Sequence, residues 1–385
     1  MPNKPIETRL QEAVEGLAGR PNVPHALLSV ESVDGAFAWS GAAGAPDSAG
    51  VAPTASTPFW IASVTKLYTA TVVFQLAEQG RLVLDEAMTA YLPEAQTNGL
   101  HRMDGVDRSD AVTLRHLLTH ASGLPDYLED RPRDGGPSLL ERVVDQGDVA
   151  WTIDDVVGIV RNDLEPYFPP QPLAAGKRRI RYSDTNYQLL IAIVESVTGK
   201  RLPEVFAEAI YDRIGVSDTW HPGTRGASAD ARVAPVHQGP RPLDVPLAMR
   251  SFLDLYSTVG DLTAFLRALV RGRLFDDPAT LATMRSGWTA FPFSLNPAAT
   301  SLTWPIEYGH GMMRMTMPRI FSPFRAVPSM EGHTGVSGSW LFHSPELDVI
   351  VAGTVDQMTA GAVPFRFVPR LLTMLESELK AGAVG

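Results

Sequence analysis

The feature that most constrains this chain is the stretch Ile61-Ala62-Ser63-Val64-Thr65-Lys66-Leu67-Tyr68, which follows Pro58 and opens a long apolar-periodic segment. Val64, Leu67, Thr71, Phe74 and Ala77 recur at helical spacing, so the segment is expected to be a helix whose first turn carries Ser63. Residues three apart on a helix share a face, which sets the Lys66 ammonium above the Ser63 hydroxyl. A serine hydroxyl is a weak nucleophile until a neighbour takes its proton. An amine does that only when its pKa is drawn well below about 10.4, as burial near a helix start would favour. Alone, Ser-x-x-Lys more often marks a solvated serine near a surface lysine, so its meaning depends on partners elsewhere in the chain.

Two partners exist. Arg181-Tyr182-Ser183-Asp184-Thr185-Asn186-Tyr187 precedes an apolar helix bearing Leu189, Leu190, Ile193, Val194 and Val197, and Gly332-His333-Thr334-Gly335-Val336 opens a strand-like run. The order Ser-x-x-Lys, then a Tyr-x-Asn-like triplet, then His-Thr-Gly resembles the serine β-lactamase and penicillin-recognising superfamily. The nearest branches are D-alanyl-D-alanine carboxypeptidases, class C β-lactamases and the related carboxylesterases. Gly80 to Asp85, Tyr91-Leu92-Pro93, Leu117 to Pro125 and Tyr308 to Gly311 resemble the segments that connect these motifs, so the similarity spans most of the chain.

The resemblance implies an α+β fold of β-lactamase/transpeptidase type: an antiparallel sheet flanked by N- and C-terminal helices, with a mostly helical lobe inserted. Residues 1–80 and 305–385 are expected to form the sheet lobe and 81–304 the helical one, with the site at the seam. It also implies that Ser63 attacks an acyl carbonyl and is acylated, with Lys66 and Tyr182 jointly carrying the proton. The oxyanion would be held by the backbone N–H groups of Ser63 and Val336; losing one such donor typically costs about two to three orders of magnitude in rate. Asp184, His333, Thr334 and Gly335 are the expected substrate contacts.

Two positions depart from the family pattern. His333 stands where many members have lysine, so the charge that would meet a substrate carboxylate is expected to titrate near neutral pH. Asp184 stands where the pattern has asparagine, and an ionised carboxylate accepts hydrogen bonds but donates none. It is expected to hold Lys66 charged, leave Tyr182 the better base, and favour esters over β-lactams. The leading expectation is therefore a serine carboxylesterase acting on small to medium acyl esters. The alternatives are D-amino-acid or D-Ala-D-Ala peptidase or β-lactamase activity, acyl transfer, and a retired member that only binds a ligand.

Composition bounds the rest. A formal net charge of -10 over 385 residues repels nucleic acid, and the densest basic stretch, Lys177-Arg178-Arg179, is too short to reverse this. There are no cysteines, which removes disulfides, thiolate metal sites and thiol catalysis. His116 and His120 are four apart, a spacing that can hold zinc, but no glutamate stands between them and no third ligand is evident, so structural roles are expected. The chemistry implies no cofactor and no metal, only a small-molecule acyl substrate. The first residues lack the apolar core of an export signal and no window reaches membrane-spanning length, so a cytoplasmic location is expected.

Helices are expected over Ile6 to Leu17, Thr113 to Thr119, Ile153 to Leu164, Thr185 to Thr198 with Ser183 or Asp184 as cap, Thr258 to Leu269, and Pro364 to Leu379. Strands are expected over His25 to Val33, Ala36 to Ala42, the alternating Met313 to Met317, Thr334 to Phe342 and Leu347 to Val355. The loops Phe291 to Trp304 and Met317 to Met330 are candidates to border a pocket.

Overall fold

A computed structural model describes residues 4–47, 50–172, 178–293, 302–321 and 325–382. Lys177, residues 294–301 of the first candidate pocket loop and 322–324 of the second lie outside the described residues.

Eight strands form one antiparallel sheet: β1 (His25–Ser32), β2 (Ala38–Gly44), β3 (Thr289–Ala290), β4 (Ile306–Tyr308), β5 (Met313–Met315), β6 (Met330–Thr334), β7 (Trp340–Ser344) and β8 (Val349–Thr354), in the order β2-β1-β8-β7-β6-β5-β4-β3. The first hairpin is joined to the last strand by the register Leu27↔Thr354, so the first and last strands pair beside the β2 edge of the sheet.

Side chains alternate between faces along each strand, and both faces are buried. Ala26, Leu28 and Val30 of β1, with Trp340, Phe342 and Val351, pack under helices α1 (Ile6–Ala18) and α6 (Val363–Gly382) through Leu10, Val14, Leu17, Val368 and Leu372. Leu27, Leu341, Ile350 and Ala352 point the other way, into a larger core shared with α2 (Thr65–Glu78), α4 (Asp184–Thr198) and α5 (Val259–Val270).

Helix α2 is the axis of that second core. Every residue from Thr65 to Leu76 is buried, so the helix has no solvated face, unlike an ordinary amphipathic one. Two of its polar side chains are satisfied by backbone carbonyls, Thr71 Oγ1 donating to that of Leu67 (2.8 Å) and Gln75 Nε2 to that of Leu274 (2.8 Å), whereas the buried Tyr68 hydroxyl has no hydrogen-bond partner among the described residues. The Tyr68 ring stacks on Phe265 of α5 with centroids 3.6 Å apart, tying the nucleophile's helix to one that lies on the sheet.

Several boundaries differ from the sequence reading. Thr334 to Phe342 is not one strand but a hairpin, because Gly335 N–H donates to the Ser339 carbonyl (2.9 Å) and Gly338 takes a φ of 77°. The expected helical segment 81–304 also contributes to the other side, since α5 packs on the sheet and β3 is its edge strand. Around the short helix α3 (Leu114–Leu118), Thr113 does cap, its side chain accepting from the His116 N–H. Ser183 precedes α4 but does not cap it through its side chain: its hydroxyl donates to the Pro125 carbonyl (2.9 Å) instead.

Removing the stacked ring should expose how much α2 relies on α5. Phe265→Ala is expected to cost about 3–5 kcal/mol of unfolding free energy, read by urea denaturation. A loss under about 1 kcal/mol would mean that the contact adds little.

Candidate active site

Ser63 sits in a single 3-10 turn, Ala62–Val64, that runs directly into α2. Ala62 has a φ of 47°, a left-handed conformation that costs free energy for a residue with a Cβ and persists only where surroundings enforce it. The enforcement is visible. Ser337 Oγ donates to the Trp60 carbonyl (2.9 Å), Ser339 Oγ to that of Ile61 (2.8 Å), and Ile61 N–H to that of Leu255 (3.0 Å). The turn between β6 and β7 is thus bonded to the segment that presents the serine.

Lys66, one helical turn on, points its Nζ at Ser63 Oγ (3.0 Å) and at Asp184 Oδ1 (2.5 Å). It also lies 5.2 Å from the Tyr182 ring centroid and 5.3 Å from that of Tyr187. Burial alone would lower this ammonium's pKa, but the Asp184 carboxylate, aided by Tyr182 and Asp254, outweighs it and holds Lys66 well above the usual lysine value. Of the two expectations for Lys66, burial lowering it does not hold, whereas Asp184 does keep the amine charged.

Tyr182 stands beside the pair. Burial pushes its hydroxyl well above the ordinary tyrosine value, although Lys66 and the Ser63 hydroxyl both favour its ionised form. It makes no well-aligned hydrogen bond of its own. Asp184 does not, then, leave an easily ionised phenol, and in the resting site both Lys66 and Tyr182 carry their protons.

His333 corrects another expectation. It is wholly buried and, unlike Thr334, Gly335 and Val336, does not line the cavity. Its Nδ1 donates to the Thr334 carbonyl (2.7 Å), which leaves Nε2 to accept from the Tyr308 hydroxyl (3.1 Å). Burial, with Lys66 nearby, lowers it to about 3, so it is a neutral structural ring and offers no charge to a substrate near neutral pH.

The sequence motifs did not single out the residues around this centre. His120 lies behind Tyr182 with ring centroids 4.4 Å apart, and its Nδ1 accepts from the Ser183 N–H (3.2 Å) and Asn186 Nδ2 (3.0 Å). It therefore positions the loop that carries Tyr182 and Asp184. His116 turns elsewhere, its Nε2 bonding the Gln171 carbonyl (2.6 Å), so the two histidines share no ligand. Asp126 is buried and accepts from the Asp184 N–H (3.0 Å). Glu129 and Asp254 line the cavity as well. Nothing in their spacing could have marked these carboxylates, since Asp126 and Glu129 share one loop and Asp254 arrives from another far along the chain.

All of this opens into a cavity of about 870 Å³, the size of a small-molecule site. Its apolar wall includes Trp60, Phe252, Phe291, Met313, Met315 and Phe365. The N–H groups of Ser63 and Val336 take part in no other hydrogen bond among the described residues.

An antiparallel sheet between helices, with a serine in the turn that opens a buried helix and a lysine in that helix's first turn, is the arrangement of the serine hydrolase superfamily that includes the β-lactamases and penicillin-binding proteins. A family model described as Beta-lactamase matches residues 12–367, and the chain belongs to that family. It is similar to penicillin-binding protein 4 of Amycolatopsis lactamdurans, 27% identical over 383 residues that cover 96% of this chain and 89% of that one. Esterase EstB of Burkholderia gladioli is 30% identical over 207 residues, covering 50% of this chain and 46% of the esterase. Among solved structures, a D-stereospecific amidohydrolase from Streptomyces sp. superposes with a TM-score of 0.68 at 27% identity, over 93% of this chain and 96% of that one.

Two titrations test these electrostatics. In Asp184→Asn the charge that raises Lys66 is gone, so its pKa is expected to fall, read by NMR of the lysine side chain; an unmoved value would remove Asp184 from this role. For His333 the folded pKa lies below the unfolded one of about 6.5. Its contribution is therefore present above pH 6.5 and is lost as pH falls toward 3. His333→Gln is expected to flatten the acid limb of stability against pH by up to about 1.4 kcal/mol per pH unit.

Proposed function

We propose that this protein is a serine carboxylesterase that hydrolyses small to medium acyl esters through an acyl-enzyme on Ser63. The observation that carries the reading is the chain Ser63 Oγ, Lys66 Nζ, Asp184 Oδ1, with separations of 3.0 and 2.5 Å, at the edge of a largely apolar cavity. The short Lys66–Asp184 contact supplies a route for the proton. Shifting a proton from Nζ to the carboxylate turns a buried ion pair into a neutral pair without changing net charge. The amine so formed is within reach of the serine proton as Ser63 attacks the acyl carbonyl.

The oxyanion of the tetrahedral intermediate would lie between the N–H groups of Ser63 and Val336, which are free to donate. Tyr182, still a phenol, donates its proton to the departing alkoxide, and the proton that Lys66 took from Ser63 then passes to the phenolate and restores the phenol. Water then attacks the acyl-enzyme by the same steps in reverse. Esters are favoured over β-lactams for two reasons. Asp184 has no amide N–H to offer, and neutral, buried His333 supplies no cation for the carboxylate that penicillins carry.

One finding supports a second reading, hydrolysis of simple amides. The chain is similar over nearly its full length to a protein described as an amidohydrolase, and the same nucleophile and proton route would serve an amide.

The test is to expose the protein to a fluorophosphonate, a penicillin and a panel of p-nitrophenyl esters, then locate adducts by peptide mass spectrometry with Ser63→Ala as control. A phosphonate adduct on Ser63, turnover of the esters and no penicillin adduct are the expected outcome. Efficient cephalosporin turnover with negligible ester hydrolysis would overturn it. Asp184→Asn is expected to raise penicillin acylation relative to ester turnover.

A further inference from the structure

Arg181 and Ser183, the two chain neighbours of Tyr182, are held by the same residue. The Arg181 N–H donates to the His120 carbonyl (3.0 Å) and the Ser183 N–H to His120 Nδ1 (3.2 Å). The imidazole also lies against the Tyr182 ring, with centroids 4.4 Å apart. His120 takes a φ of 54°, a left-handed conformation that histidine and asparagine adopt more readily than most residues.

The protons around this ring have one consistent arrangement. A backbone N–H only donates, so the Nδ1 that faces Ser183 carries no proton and the neutral ring holds its proton on Nε2. Asn186 meets the same Nδ1 at 3.0 Å, so its amide NH2 faces the ring and its Oδ1 faces Ser122 Oγ at 2.7 Å. Ser122 then donates to that oxygen, and its hydroxyl accepts from the Leu124 N–H (3.1 Å). With backbone donors at both ends, Leu124 and Ser183, the three side chains between them have no second pattern. His120, Ser122 and Asn186 are wholly buried, so bulk water does not compete for these groups.

A proton on Nδ1 would point a donor at two donors and release Ser183. The surroundings oppose that proton. Burial first, then the Lys66 charge and His333, hold His120 well below the ordinary histidine value. The other rings that face it, Tyr187 at 5.4 Å and Tyr308 at 4.5 Å, are phenols that burial keeps protonated. None of Ser122, Asn186 and His120 lines the cavity, so whatever they do for the reaction they do through Tyr182.

We propose that Ser122, Asn186 and His120 form a positioning relay for Tyr182, in which Asn186 selects the Nε2–H form of His120 and so keeps Nδ1 able to hold the Ser183 N–H beside the phenol. The relay deepens the Ser63 reading and rests on it, because the place of the Tyr182 hydroxyl matters to turnover only if that hydroxyl serves the leaving group.

Nitrogen-15 NMR of the full chain, labelled at histidine, tests the relay without turnover. The chain has nine histidines, and the spectrum of His120→Asn identifies the His120 signals. In the unaltered protein Nδ1 is expected to be bare and Nε2 protonated, with no titration between about pH 5 and 8. Asn186→Asp replaces the amide donor by a carboxylate, and the proton is expected to appear on Nδ1. An unaltered protein with its proton on Nδ1, a His120 that titrates in that range, or a ring indifferent to Asn186→Asp overturns the proposal.

Turnover reads the consequence through two esters of one acid. For ethyl butanoate, kcat/KM in Asn186→Asp is expected to fall on the order of ten- to a hundredfold, the cost of misplacing a group by about 1 Å, while p-nitrophenyl butanoate, whose leaving group departs without a proton, falls less than about threefold. His120→Asn sets an oxygen where Nδ1 stood and is expected to hydrolyse the ethyl ester on the order of tenfold faster than His120→Leu, which cannot accept from Ser183. Equal losses for the two esters, or His120→Leu as active as His120→Asn, mark a merely structural role and overturn the relay. If neither ester is turned over and Ser63 takes no phosphonate, the Ser63 reading is struck, and the nitrogen spectra still decide the arrangement about His120.

Discussion

The structure is organised around one buried ion pair. Lys66 belongs to a helix with no solvated face, and an ammonium there is tolerable only beside a matching carboxylate. Asp184 comes from a loop 118 residues further on, so forming the pair joins the nucleophile's helix to the start of α4. Removing either partner alone would strand a charge in low dielectric, which is a stronger constraint than any single apolar contact. The rings of Tyr182 and Tyr187 flank the ammonium at 5.2 and 5.3 Å, and the pair meets the cavity on its remaining side.

That pair also explains why the neighbouring groups behave as they do. His120 and His333 are held far below their usual values by burial first and then by the Lys66 charge, so both are neutral supports rather than acids. Tyr182 and Tyr187 are pushed upward by burial despite the same cation. Burial thus sets the protonation of a shell of rings, Lys66 reinforcing it at the histidines and opposing it at the tyrosines, and the reactive serine sits at the open side of that shell.

Much of this was legible in the sequence. The Ser63–Lys66 spacing required both side chains on one helical face, and the alternation in Met313 to Met315 and the apolar runs near the C-terminus gave the strands. The resemblance of three motifs placed Tyr182 and Asp184 beside the lysine. What periodicity could not reveal was burial on every side of α2, because a helix surrounded by protein has no polar stripe to announce its orientation. The turn at Gly335–Ser339 carries its own signal in two glycines and two serines, which argues against one continuous strand over Thr334 to Phe342. His333 could be read as a charge because its neutralisation comes from burial and from Lys66, which is distant in sequence. Glu129 and Asp254 line one cavity only because two loops far apart in sequence meet there.

The two hydroxyls that fasten the β6–β7 turn have a mechanical consequence. Ser337 and Ser339 grip the carbonyls of Trp60 and Ile61, immediately before the left-handed Ala62, so Val336 and Ser63 are mounted on one braced frame. Their amide hydrogens then keep a constant span while the rest of the cavity adapts to its guest, much as the jaws of a calliper stay set while the workpiece changes. Variation in acyl-group shape must accordingly be absorbed by the distant apolar wall and not by the gap in which negative charge develops.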